Sequence, residues 1–199
     1  MCVLGSITAV AAGKVAYTTG SSSHEDDFAY SQLGDMETRL GYVTKAPETF
    51  DNGYRFKAGT PVHQEAVDEE GNVIEAAEHV SLNYMKEGMP DIFITVQNTK
   101  LYSEESQADQ TFDHNGITIG FSSDQYRFVP PDYQVSQEEK AREEAGELYI
   151  SYGSSQVEDK VVHNVFWEDQ GIVYYMITFD NSLTPQELAQ MAGEIIDNQ

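Results

Sequence analysis

Basic side chains are scarce in this chain. Lysine and arginine number 11 against 34 aspartates and glutamates in 199 residues, a formal charge of -23. A surface that negative repels phosphate backbones, which excludes nucleic acid as a partner class. It also opposes docking on anionic lipid, while favouring solubility and attraction of cations or a basic partner. Cysteine is nearly absent: Cys2 stands alone, so an intrachain disulfide is impossible and a cysteine-built zinc site is excluded. The N-terminal run from Cys2 to Ala12 is apolar but meets Lys14. It falls short of the ~20 apolar residues a spanning helix needs, and no basic stretch precedes it as in a secretory signal.

Signatures of chemistry are missing as well. "YGSSQ" and "GFSSD" lack the second glycine of a nucleophile elbow, and no glycine-rich phosphate loop occurs. The five histidines, His24, His63, His79, His114 and His163, form no H-x-x-x-H pair; the nearest two, His63 and His79, are 16 residues apart. A hairpin about Glu70 would bring His63 near residue 77 or 78, so His63 and His79 are the one pair expected to approach. In "DEEGN" (Asp68 to Asn72) the glycine arrives too early for a calcium loop of the EF-hand type, and "HEDD" and "FDHNG" resemble such loops only loosely. No catalytic, cofactor-binding or metal-binding residue is therefore nominated, and no cofactor is expected.

What is present is a clear pattern of strands. Tyr is found 12 times and Phe 9 times, an enrichment that suits strands. Tyr54 to Val67 reads as extended, with Gly59-Thr60-Pro61 predicting a bulge or an edge. Val73 to Lys86 returns, with Val80, Leu82 and Tyr84 alternating, and Ile92 to Gln97 adds a third run of an antiparallel meander. The polar stretch "LYSEESQADQ" reads as a loop. Asn115-Gly116 is a hairpin signal, and its second strand ends at Pro130-Pro131. Glu147 to Gly153 is extended again. Around Gln170-Gly171 a two-residue turn would set Trp167 opposite Tyr174, Val165 opposite Met176 and Phe166 opposite Tyr175, in a hairpin expected to be central and covered on both faces.

Helices are expected at three places. Leu33, Met36 and Leu40 define a weak one that Gly41 ends. Ser136 and Glu139 form a capping box for a polar, exposed helix near 136–145. Thr184, Pro185 and Glu187 open a helix over 184–197, with Leu183 stapling onto Leu188 and Leu188, Met191, Ala192, Ile195 and Ile196 in one stripe. The fold class is α+β: an antiparallel sheet of about seven strands, curved as a half-barrel, with these helices. Three regions follow: 1–17 as part of a membrane anchor or signal, 18–27 as a flexible linker ("TTGSSSHEDD"), and 28–199 as a single domain. That order is expected of an extracytoplasmic, anchored or secreted domain. The aromatic set Tyr149, Tyr152, Phe166, Trp167, Tyr174 and Tyr175 would either line a ligand groove or fill the core.

"GYVTKAPETFDNGYRF", "HVSLNYMKEGMPDIFITVQ", "ELYISYG" and "VVHNVFWEDQGIVYYMITFDNSLTPQELAQMAGEII" follow one another in order. With Trp167, Gly171, Tyr174, Leu183, Thr184, Glu187, Leu188, Met191 and Ala192 as the closing motif, residues 28 to 198 resemble the extracytoplasmic C-terminal domains of membrane-anchored Firmicutes proteins. These are domains of unknown function, some fused or adjacent to anti-sigma-factor modules, and a similar hairpin-plus-helix closes lipoprotein-carrier-like half-barrels. No catalytic motif comes with the resemblance. It implies a sensory or regulatory domain that is not an enzyme and binds a protein, peptide or envelope component, with the membrane reached through the N-terminal segment. The anti-sigma portion is missing here, so these residues are not expected to hold a sigma factor themselves. The alternatives are a carrier of a lipid or acyl chain, which needs an open apolar sheet face, and a hydrolase with unrecognised residues. Any site is expected on the loops or on the sheet face that the last helix leaves uncovered.

Overall fold

The computed structural model describes residues 17–98 and 107–198. All of the expected anchor segment but Tyr17, and most of the "LYSEESQADQ" loop, lie outside the described residues. Nine strands form one mixed sheet: β1 (Tyr17–Ser22), β2 (Arg55–Val67), β3 (Val73–Met85), β4 (Ile92–Gln97), β5 (Gln110–His114), β6 (Ile117–Val129), β7 (Tyr149–Tyr152), β8 (Glu158–Asp169) and β9 (Ile172–Thr178). Their order is β1-β2-β3-β4-β9-β8-β6-β5, with β7 beside the second half of β6. The sheet curls into a half-barrel. The helices are α1 (Leu33–Leu40), α2 (Gln137–Glu144) and α3 (Pro185–Asp197), as α+β class requires.

Three features depart from the expectations. Residues 18–27 are not a linker: Tyr17–Ser22 pairs with β2 from Val67 to Val62, and His24–Asp26 forms a short 3-10 turn capped by Ser23. Threonines and small residues accept an extended backbone, and the open edge of β2 supplies hydrogen bonds that a linker would take from water. The β7 strand is parallel to β6, reached through α2, so the sheet is mixed rather than wholly antiparallel. The irregularities of β2 fall between Phe56 and Ala58 and at Ala66 and Val67, not at Gly59-Thr60-Pro61. Gly59 has a different purpose. Phe28 and Gly59 exchange backbone hydrogen bonds, and the Phe28 ring lies where a Cβ on Gly59 would be, 2.2 Å from its nearest ring carbon.

The turns and caps form as their residues dictate. Asn115 and Gly116 take left-handed backbone angles (φ 53° and 82°) and close the β5–β6 hairpin. Gly41 ends α1 in the same region. Capping boxes at Ser136/Glu139 and Thr184/Glu187 start α2 and α3. The β8–β9 hairpin has the anticipated register, with Trp167 opposite Tyr174, Phe166 opposite Tyr175 and Val165 opposite Met176.

One face of the sheet carries the core. Cross-strand rows Val80–Val96–Tyr174–Trp167 and Leu82–Ile94–Met176–Val165–Phe121 run across five strands. Onto them α3 lays Leu188, Met191, Ala192, Ile195 and Ile196. Burial of each large aliphatic side chain contributes about 1.5–3 kcal/mol. Trp167 and Tyr174 stack with planes 2° apart and centroids 4.7 Å apart. Among the described residues no helix is long and apolar enough to cross a membrane.

Replacing Gly59 by alanine is expected to expel the Phe28 ring and lower stability by about 1–3 kcal/mol. Urea unfolding of Gly59→Ala checks this; an unchanged midpoint would show that the ring is not held against the strand.

Candidate functional site

Alternation along each strand sends the remaining side chains to the face opposite α3. Two rows cross its centre: Ser81–Thr95–Tyr175–Phe166–Gly120 and Asn83–Phe93–Ile177–Asn164–Ser122. Most of these side chains are half-buried rather than sealed, and none of them belongs to the apolar cluster beneath α3. Towards the far end of the strands the face becomes aromatic. Phe93 meets Phe179 (6.2 Å between centroids), Phe179 meets Phe128 (5.8 Å), Phe128 stacks with Tyr126 (5.9 Å), and Tyr126 stacks with Tyr149 (5.1 Å). This band of five rings runs from β4 to β7. Phe179 is 38% exposed and Tyr149 42%, and Met85, also exposed, extends the apolar surface on β3.

The band is bordered by carboxylates. Phe179 follows the last paired residue of β9, Thr178, which lies between Ile92 on β4 and His163 on β8; Asp91 immediately precedes Ile92, and the next β8 residue, Val162, pairs with Asp124 on β6. Asp91 pairs with Lys57 (2.9 Å) and accepts from the Asn83 amide. Asp124 accepts from Asn164 (2.7 Å) and Ser122 (3.0 Å), both at Oδ2. Lys160 lies over the Phe128 ring, 5.6 Å from its centroid, and pairs with Glu158. Burial, with Asp124 adding to it, pushes the Tyr126 hydroxyl up to about 12, so it stays protonated and can donate.

The six aromatics singled out in the sequence divide between the faces. Trp167 and Tyr174 are core, 4% and 1% exposed. Phe166 and Tyr175 sit on the opposite face, where Phe166 covers Gly120. Tyr149 and Tyr152 are exposed at β7. The expectation that the β8–β9 hairpin is covered on both faces therefore holds for one: α3 seals the Trp167 side, and no described helix joins the other. Phe93, Phe128 and Phe179 were not singled out. For Phe93 the signal was present in "IFITV", where Phe93 adds an apolar side chain at the parity opposite to Ile92, Ile94 and Val96.

The histidines scatter. His63 pairs across from Glu78, within the range expected, but His63 and His79 point to opposite faces because they sit at odd spacing on registered strands. His24 and His63 contact Asp27 and Glu65 at the surface, and His114 bonds Asp197 at the end of α3 (2.9 Å). His163 packs on Phe121 in the core, where burial depresses its pKa. Among the described residues no His, Cys, Asp and Glu converge as a metal-binding group. The depression beside α2 is occupied from within: Arg127 bonds Asp159 and Glu139, and bonds from Ser136, Tyr133 and Arg127 pull the Glu139 carboxyl to about 2.

With this geometry in hand, comparison with family models, curated proteins and solved structures returns no match.

His79 yields a pH test. Burial lowers its pKa to about 4, and its Nδ1 has no hydrogen-bond partner among the described residues. The unfolded chain takes up this proton near 6.5 and the folded one only near 4, so stability is whole above pH 6.5 and falls as pH drops towards 4, by roughly 3 kcal/mol. His79→Gln is expected to remove that share of the acid sensitivity in denaturant titrations. Parallel losses in both proteins would show that His79 is not its source.

Proposed function

We propose that this chain is a binding module, an extracytoplasmic sensory or regulatory domain rather than an enzyme, which docks a protein or peptide on the sheet face opposite α3. The observation that carries this reading is the aromatic band from Phe93 to Tyr149. Such a face is expensive to leave in water, and a patch of linked, partly exposed rings is the kind of surface that partners use. Aromatic side chains also lose little conformational freedom on binding, so they serve well as anchors.

Two alternatives fare less well. An acyl-chain carrier needs an open apolar cavity inside the curl, yet Leu188, Met191 and Ile195 occupy that side and are at most 1% exposed. A hydrolase needs a base beside a nucleophile. Ser122, Asp124 and Asn164 do meet on the outer face, but no described histidine joins them. The resemblance to membrane-anchored regulatory domains supports the placement outside the cytoplasm.

Benzophenone photo-crosslinking tests the reading. A photoreactive side chain at position 179 is expected to give a discrete adduct in cells, whereas one at the exposed Val157 gives none. Equal yields from both positions, or none from 179, would count against the face.

A further inference from the structure

The aromatic band has a charge pattern that specifies its partner more closely. Asp124 is a half-buried carboxylate with no ion-pair partner among the described residues, and both of its hydrogen bonds end on one oxygen. That leaves its Oδ1 with no described donor. Asp91, on the other side of Phe179, is matched by Lys57 alone. The exposed Phe179 ring thus has a carboxylate to either side along the direction of the strand pairing, Asp91 ahead of β4 and Asp124 on β6 beyond the buried Val162. The neighbouring ring displays what such a place accepts: Lys160 lies over Phe128 while paired with Glu158. A cation above an aromatic face, with a carboxylate beside it, gains from both. Phe179 offers the same combination, and among the described residues the ring-capping lysines stand elsewhere, over Phe128 and Tyr54.

We propose that Phe179, with Asp91 ahead of β4 on one side and Asp124 beyond Val162 on the other, seats a lysine or arginine side chain of a basic, apolar partner segment, whose neighbouring side chains lie along the Phe93–Phe128–Tyr126 rings. This rests on the reading of the outer face as a docking surface and supplies the partner's chemistry. The formal charge of -23 acts in the same direction. It draws a basic polypeptide towards the whole surface and repels acidic ones, while the surface around Phe179 provides the place where the charge is read. Anionic lipid and nucleic acid are disfavoured by the same field.

The test uses three short fluorescent peptides, alternating Lys/Leu, Ser/Leu and Glu/Leu, titrated into the folded chain and into its Phe179→Ser and Asp124→Asn variants. Circular dichroism establishes that each variant is folded; both positions are outside the α3 core. The Lys/Leu peptide is expected to bind wild type best and to weaken with salt. Phe179→Ser should weaken it about threefold to tenfold and Asp124→Asn about threefold. If all three peptides bind alike and Phe179→Ser weakens all of them, the face docks partners without reading charge, and the cation seat is overturned alone. If the Lys/Leu peptide binds every variant equally, the attraction is diffuse, and the seat and the docking reading fall together.

Discussion

The structure depends on the contact between α3 and one face of the curled sheet. The stripe Leu188, Met191, Ala192, Ile195 and Ile196 decides which of the two faces becomes interior. A sheet has two faces, and where the described helices cover one of them the other is left to a different fate. Here β4, β8 and β9 carry apolar residues at both parities, so covering one side leaves Phe93, Ile177, Phe166 and Tyr175 half-buried on the second. The proposed docking face follows from that arithmetic of alternation, and so does the filling of the opposite side by Leu188, Met191 and Ile195.

Much of the fold was readable because its signals are local. The capping boxes at Ser136 and Thr184, the Asn115-Gly116 turn and the Gln170-Gly171 hairpin depend on residues a few positions apart. The register Trp167–Tyr174 followed from the turn length alone. What escaped depended on distant partners. Nothing in "YTTGSS" says that the edge of β2 is free to receive it, and nothing in "YISY" says that it will run parallel to β6 after an intervening helix. Gly59 read as an interruption, yet its lack of a side chain admits Phe28 from another part of the chain.

The site was less legible than the fold. Its central ring, Phe179, follows the last paired residue of β9, where strand periodicity is fading; Asp91 immediately precedes β4, and Asp124 lies on β6 beyond Val162. Their juxtaposition exists only once β4, β9, β8 and β6 are aligned. The sequence did hold the two ingredients, an excess of carboxylates and alternating aromatics. Because most carboxylates in so acidic a chain are solvated surface, composition could not mark Asp124 as different. That no described cation pairs with it, while Lys57 pairs with Asp91 and Lys160 with Glu158, is a property of the assembled face.

The central claim is that one face of this sheet is sealed and the other is open at its aromatic band. Fluorine NMR of protein labelled with fluorophenylalanine, assigned by single substitutions and read with a soluble paramagnetic agent, measures this directly. The account predicts strong broadening at Phe179 and little at Phe121 and Phe50, which are at most 3% exposed beneath the helix-covered side. Protection of Phe179 equal to that of Phe121 would contradict it.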